Sequence, residues 1–460
     1  MKYIDNALIW DALAQGAKAS FQDIQKILEK AKRLERLTID ETAALLGVTD
    51  PVFERKILEA AAFVKNAIYG KRVVLFAPLY ISNICVNSCL YCAFHVENKE
   101  IERKALTFAE ITKETEQLLK NGHKRILLVA GEAPPKGMKL IDYYTGAVEA
   151  IYKASVGTHK IKRVNINCAP LQVNEFKKLK KSGIGTYQIF QETYHDETYR
   201  VMHPKGPKSD PDARLSAVDK AFEAGIDDIG IGVLYGLFDH KFETLAMLSH
   251  IEHLEKTFKV GPHTISVPRI EPAVVSKISE NPPYAISDHD FKKLVAILRL
   301  AVPYTGIIMS TRETASLRDE LINLGVSQVS AASKTSPGGY SEAGEPNAQF
   351  AVHDNRSLDE VVSSLIKNDL IPSFCAACYR KERTGEKFMD LAKPGDIKGM
   401  CQMNALVTLK EYMTDFASKH VQLSGEELIR SAERSMNESE RNKLGCFFEH
   451  IKAGQRDEYV

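Results

Sequence analysis

No run of eighteen or more apolar residues occurs in the 460-residue chain, so no segment is long enough to cross a bilayer as a helix. The first twenty residues carry acidic side chains and have neither an apolar centre nor a small-residue cleavage motif, so no secretory leader is read there. An excess of charge of one sign is missing too. The 61 Lys and Arg against 60 Asp and Glu provide no global field for a polyanion or an anionic lipid surface. Binding to nucleic acid or membrane is not expected; a cytoplasmic location is. Cysteine is sparse, 8 in all, too few for a disulfide-stapled secreted scaffold. In a reducing compartment, closely spaced thiols hold metal or do redox chemistry. With 44% hydrophobic and 26% charged residues, the chain has ample material for a large core.

Residues 1–70 read as an N-terminal helical region, with Ile, Leu, Ala and Phe at helical spacing, Ser20 as an N-cap, and Gly47 and Gly70 as stops. From Val73 onward, short β-branched runs alternate with amphipathic stretches: RVVLFAPLYI, KRILLVAG, KRVNINCA, TYQIFQE, DDIGIGVLY, HTISVPRI, GIIMSTR and SQVSAAS make eight candidate strands. Gly122, Gly183, Gly225 and Gly325 punctuate the intervening helices, one of which is read over ARLSAVDKAFEAG. Eight strand-helix repeats predict an α/β fold of the (β/α)8 TIM type over residues 71–370, with chemistry at the C-terminal ends of the strands. A doubly wound sheet is the runner-up, and its GxGxxG after the first strand is missing. A Gly-, Pro-, Ser- and Asn-rich stretch over residues 335–356 reads as a long loop closing the barrel, and SLDEVVSSLIKNDL as the eighth helix. Residues 371–460 read as a separate, mostly helical C-terminal unit with its own cysteines.

Cys85, Cys89 and Cys92 fall directly after the first strand, at the catalytic mouth of such a barrel. Three thiolates on one loop can hold three corners of a cubane iron-sulfur cluster and leave one iron open. Zinc is the alternative, with His95 as fourth ligand. Cys375, Cys378 and Cys401 form a second three-cysteine set, CxxC and then Cys after a gap of twenty-two residues, for which a cluster or a zinc ion completed by histidine both fit the count. Cys168 and Cys446 belong to neither pattern and read as packing residues. His159, His240, His250 and His253 give no positional argument. Asn165 and Asn167 alternate with Val164 and Ile166 on the third strand, so both amides share one face, for ligand contact or for hydrogen bonding within the barrel.

CxxxCxxC with Tyr91 before its last cysteine, after the first strand of a barrel, resembles the signature of the radical S-adenosylmethionine (SAM) family. That resemblance implies a [4Fe-4S] cluster on Cys85, Cys89 and Cys92 whose open iron chelates SAM, and reductive cleavage of SAM to a 5′-deoxyadenosyl radical. It further implies Glu132, in Ala130-Gly131-Glu132, for the SAM amino group, Tyr91 over the adenine, Glu192 and Arg214 for ribose and carboxylate, and Asn165 and Asn167 as further SAM contacts. SFCAACYRKERTGEKFMDLAKPGDIKGMCQMNAL, GIGTYQIFQETYH, MHPKGPKSD, GVLYGLFDHKFET, GPHTISVPRIEP, VPYTGIIMSTRE and SPGGYSE are similar to the tyrosine lyases of [FeFe]-hydrogenase maturation, over about residues 70–420. The implied activity is Cα–Cβ cleavage of L-tyrosine to p-cresol and dehydroglycine, then carbon monoxide and cyanide on iron at a second [4Fe-4S] cluster held by Cys375, Cys378 and Cys401. An additional iron there would be ligated by His263, which opens the sixth strand and so lies at the far end of the barrel. Arg312, helped by Ser310, is expected to hold the tyrosine carboxylate, because an Arg fork matches a planar anion; a rim ion pair with Glu313 is the structural alternative. Implied partners are an electron donor such as ferredoxin or flavodoxin and the other hydrogenase maturation proteins. Two departures from the family pattern stand out: Ala130 for the commoner glycine, and Met403 where proline is expected. 2-Iminoacetate synthase of thiamine biosynthesis shares the barrel motifs without the second cysteine set; an iron-sulfur scaffold or carrier is the non-enzymatic alternative.

Overall fold

The computed structural model describes residues 1–342, 344 and 347–460; three residues of the expected closing loop, 343, 345 and 346, lie outside the described residues. All eight expected strands form: β1 (Arg72–Ser82), β2 (Arg125–Ala130), β3 (Arg163–Asn167), β4 (Tyr187–Glu192), β5 (Ile229–Val233), β6 (Thr264–Ser266), β7 (Gly306–Met309) and β8 (Gln328–Ser330). They pair in parallel and in chain order, and β1 bonds both β8 and β2, so the sheet closes into a (β/α)8 barrel.

Strand alternation decides which side chains enter the interior. On β1, Val73, Leu75, Ala77, Leu79 and Ile81 pack under the surrounding helices, whereas Phe76, Pro78 and Tyr80 face the lumen. Glycine on β5 makes room for a neighbour: a Cβ on Gly232 would stand 2.8 Å from both the Phe190 ring and the Ser266 carbonyl oxygen.

Four helices precede the barrel: α1 (Asn6–Gly16), α2 (Phe21–Lys32), α3 (Ile39–Gly47) and α4 (Pro51–Tyr69). Ser20, Thr38 and Asp50 cap α2, α3 and α4, with Pro51 at the first helical position. Gly122, Gly183 and Gly225 end their helices at φ of 90°, 85° and 85°. Gly325 differs, with extended backbone at φ 178°. It is needed for close approach, since a Cβ there would lie 3.1 Å from Cβ of Arg299. The single helix expected over ARLSAVDKAFEAG is two, Pro211–Leu215 and Ala217–Glu223. Ser216 Oγ donates back to the Asp212 carbonyl at 2.7 Å, the kind of bond that bends a helix, and Arg214 is left on a short helix of its own.

A ninth strand, β9 (Ile371–Ser373), pairs with Arg72–Val74 of β1, below the stretch that pairs with β2. The C-terminal unit is therefore stitched into the barrel sheet. Its long helix Ile397–Asp415 packs on β9 and α4, and the tail returns to the barrel: Asp457 meets Lys124 at 2.9 Å and Lys162 at 2.7 Å.

Arg299, fully buried, illustrates how the frame is held. Its guanidinium donates to the carbonyls of Pro303 (2.8 Å), Thr305 (2.7 Å) and Gly325 (2.8 Å). Arg299→Met would strand three buried acceptors at about 1–3 kcal/mol each. A loss of about 3 kcal/mol or more is expected in urea unfolding; an unchanged midpoint would contradict the role given to this residue.

Candidate active site

The loop after β1 carries Cys85, Cys89 and Cys92 to the C-terminal mouth, where all three free thiols line one cavity of about 190 Å³, far larger than a packing void. Arg103, which sequence reasoning missed, clamps this loop by donating to the carbonyls of Asn83, Phe94, His95 and Asn98 at 2.6–2.9 Å. Gly131 is required by close approach: a Cβ there would sit 2.2 Å from the Ile84 carbonyl oxygen. Ala130, one residue earlier, is part of the β1–β2 ladder, opposite Ser82. His95 is not among the residues lining the cavity, and its Nδ1 lies 3.3 Å from Glu97. Burial pushes the Cys89 and Cys92 thiols above their ordinary value, so ligation has to release protons.

Beside the thiols lies a compact ionic network. Glu132 accepts from Arg214 at 2.9 Å and from Asn87 Nδ2 at 2.8 Å. Burial alone would raise the Glu132 carboxyl, but Arg214 and Lys208 outweigh it and hold it below the ordinary value. Glu192 accepts from Lys208 Nζ at 2.7 Å, with Arg214 3.8 Å away. It sits at φ 70° just past a register shift between β4 and β5, a conformation rare outside glycine and concentrated at functional sites. Lys208, from MHPKGPKSD, was given no role from sequence; its only sequence signal is that motif. Here its ammonium is buried and stands 5.6 Å from the Tyr91 ring centre. Tyr91 lines the cavity, and its hydroxyl meets His203 Nε2 at 2.7 Å. Because His203 Nδ1 lies 2.8 Å from the Tyr199 carbonyl, that nitrogen carries the proton and Nε2 accepts from Tyr91.

Of the two β3 amides, Asn167 lines the cavity and Asn165 does not. Asn165 Oδ1 accepts from Arg163 Nε at 2.8 Å and from the Thr186 amide at 3.0 Å, one layer lower in the barrel. Cys168, set aside as packing, does line the cavity, with burial keeping its thiol well above the ordinary value. Cys446 is exposed and lies 3.6 Å from His450.

Opposite the network, Ser310 and Arg312 reach the cavity from the end of β7. The Glu313 pairing considered for Arg312 is taken by Arg269, whose Nε lies 2.9 Å from Glu313. Arg312 rests its guanidinium 3.4 Å over the Phe350 ring and donates to the Arg269 carbonyl at 3.3 Å. Among the described residues no carboxylate pairs with it within 4.0 Å, so its fork is open to an anion in a cavity whose lining is mostly apolar.

The second thiol set lies at the other end of the barrel. Cys375, Cys378 and Cys401 line a smaller cavity with His263, Arg72, Arg125 and Arg163. β9 delivers Cys375, whose carbonyl accepts from Arg125 at 2.6 Å. Helix Ile397–Asp415 delivers Cys401, and Met403, the departure from the expected proline, is buried in that same helix. Burial pushes the Cys375 thiol up to about 12 and lowers His263 to about 4 despite Asp228, whose carboxylate lies 3.8 Å from its Nδ1. His263 is thus neutral at pH 7, the form that ligates metal. Among the described residues, no three His, Cys, Asp or Glu side chains are gathered as a set for a single ion; each thiol set rims a cavity.

A profile of the radical SAM superfamily matches residues 79–249, and one of the Biotin and Thiamin Synthesis associated domain matches residues 266–371. The chain is 32% identical over 347 residues to 2-iminoacetate synthase of Escherichia coli, covering 75% of this chain and 89% of that protein. A crystal structure of HydG, a maturase of the [FeFe]-hydrogenase, superimposes with a TM-score of 0.96 at 46% identity over 100% of both chains. The HydG structure from Carboxydothermus hydrogenoformans gives 0.84 at 42% identity, over 96% and 97%. No helix among the described residues is long and apolar enough to cross a membrane.

The segment after β4 rests on Glu243, a buried carboxyl that accepts from the Tyr194 amide at 2.7 Å and from the Thr193 hydroxyl. Burial raises it from 4.5 to about 8. The folded state keeps a proton that the unfolded chain releases, so this group's contribution to stability is full below pH 4.5 and is lost as pH rises toward about 8. Glu243→Gln, which keeps an acceptor and cannot ionise, is expected to gain melting temperature over wild type across that window. Parallel Tm profiles from pH 5 to 9 would contradict it.

Proposed function

The chain belongs to the radical SAM family that includes HydG and 2-iminoacetate synthase, and we propose that it is a tyrosine lyase supplying carbon monoxide and cyanide for [FeFe]-hydrogenase maturation. The family implies a [4Fe-4S] cluster and SAM, and the donor set fits both. Cys85, Cys89 and Cys92 would hold the cluster, leaving one iron open. Glu132, Glu192 and Arg214, with Tyr91 and Asn167, surround the space beside it with the complementary charges that an amino acid headgroup and a ribose need. When bound, SAM on the reduced cluster supplies a hydrogen-abstracting 5′-deoxyadenosyl radical.

The residues of the chain do the positioning. Arg312 binds the carboxylate of L-tyrosine through its fork, with Ser310 beside it, and so presents the amino acid to the same cavity as the thiols. The Glu132–Arg214 and Glu192–Lys208 pairs are already formed, so little reorganisation is needed when ligand arrives. Tyrosine cleavage gives p-cresol and dehydroglycine. The fragment's breakdown to carbon monoxide and cyanide is assigned to the second set, where Cys375, Cys378 and Cys401 would hold a further [4Fe-4S] cluster and neutral His263 an additional iron. A ferredoxin or flavodoxin as electron donor and the other hydrogenase maturation proteins as acceptors complete the reading.

What carries this over the thiazole-forming alternative is the second thiol set itself. The 2-iminoacetate synthase likeness leaves a quarter of the chain unmatched, whereas HydG is matched from end to end at 46% identity. Anaerobically reconstituted protein with SAM, reductant and L-tyrosine is expected to yield 5′-deoxyadenosine, p-cresol, cyanide and carbon monoxide. Absence of p-cresol overturns the reading, and p-cresol without carbon monoxide favours 2-iminoacetate synthesis. Replacing Cys375 and Cys378 with Ala is expected to spare p-cresol and abolish carbon monoxide.

Arg312→Lys keeps the charge and removes the bidentate fork. KM for tyrosine is expected to rise about 10- to 100-fold, the equivalent of about 1.4–2.7 kcal/mol, while tyrosine-independent cleavage of SAM continues. An unchanged KM would remove Arg312 from the substrate site.

A further inference from the structure

Gln349 and Phe350 are adjacent residues of the long loop after β8, and they face two different parts of the cavity. Gln349 is held by its backbone and its amide: its N–H donates to the Thr335 carbonyl at 3.0 Å, and its own carbonyl accepts from the Ala93 amide at 3.4 Å. Its Oε1 accepts from the Tyr80 hydroxyl at 2.8 Å, which leaves the amide N–H to donate to Cys92 Sγ at 3.5 Å. Phe350 lies beneath Arg312, with the guanidinium 3.4 Å from its ring centre. One dipeptide therefore touches a thiol of the first set on one side and, on the other, Arg312, which no carboxylate pairs among the described residues.

We propose that Gln349 is a positioning residue that sets the reduction potential of the cluster on Cys85, Cys89 and Cys92, and that Phe350 couples it to carboxylate occupancy at Arg312. This rests on the assignment of those cysteines and of Arg312 given above. An N–H donated to a ligating sulfur stabilises the added electron and raises the potential. The cation–π contact holds the dipeptide toward Arg312. A carboxylate drawing the guanidinium off the ring releases the dipeptide toward Cys92, tightens the N–H···S bond and makes the cluster easier to reduce. By linkage, reduction tightens carboxylate binding by the same factor. Electron uptake is thereby favoured when the amino acid is in place.

The test uses the full chain carrying Cys375→Ala and Cys378→Ala, so that one cluster remains, with S-adenosylhomocysteine, which cannot be reductively cleaved. Midpoint potentials are read by EPR titration, with and without L-tyrosine, and iron content and melting temperature confirm loading and folding. Gln349→Leu is expected to lower the reduced fraction about tenfold at fixed poise, about 59 mV for one electron, and Gln349→Glu to lower it further. Phe350→Leu is expected to move the potential the other way, to the tyrosine-bound value of the parent, with no further response to tyrosine. An unchanged potential in either Gln349→Leu or Phe350→Leu overturns the proposal, as does a parent that binds tyrosine by calorimetry without a shift. If tyrosine does not bind the parent while the two variants still shift in opposite directions, the link from Phe350 through Gln349 to the cluster stands, and the carboxylate half of the proposal falls with the tyrosine assignment.

Discussion

The backbone ladder of β1 is the constraint on which both sites depend. This strand bonds β2, β8 and β9. The first thiol set follows its C-terminal end, and the second begins two residues beyond the strand that pairs with its N-terminal end. The ten steps between its eleven extended residues, at about 3.3 Å each, make a strand about 33 Å long with a thiol set near either end. No side chain has to hold that separation, because it is written in parallel hydrogen bonds, the least adjustable contacts in the molecule.

The two ends differ in their electrostatics. At the mouth, Glu132 and Glu192 are matched by Arg214 and Lys208, and among the described residues no carboxylate pairs with Arg312. At the far end, Arg72, Arg125 and Arg163 surround the thiols, and among the described residues only Arg163 of the three has a carboxylate, Asp228 at 2.6 Å. The first arrangement suits a zwitterionic ligand plus one further anion. The second suits thiolates, since guanidinium charge stays fixed on burial where lysine charge does not.

Strand periodicity made the barrel legible in sequence, and the resemblance of the cysteine loop, Glu132, Glu192 and Arg214 to the radical SAM motifs made much of the mouth legible too. Period two gives the face of a residue and not its depth. Asn165 and Asn167 share a face, yet only the second reaches the cavity, because a residue two places down a tilted strand belongs to another layer. β9 went unseen because Ile-Pro-Ser is too short to show any period and forms only where β1 offers its edge. Arg103, Lys208, Gln349 and Phe350 sit on irregular loops whose partners are far along the chain; Gln349 and Cys92 are 257 residues apart. Nothing in local pattern announces such contacts. The broken helix before Ala217 turned on one hydroxyl, Ser216, bonding backward.

Eight strands already complete the circuit, with β1 bonded to both β2 and β8. The ninth adds nothing to closure; it occupies a vacant stretch of one strand below the ring. The ninth strand is thus an annex to a finished ring. The far cavity takes its thiols from the C-terminal unit and Arg72, Arg125, Arg163 and His263 from the barrel, so it exists only where the two are joined and neither part encloses it alone.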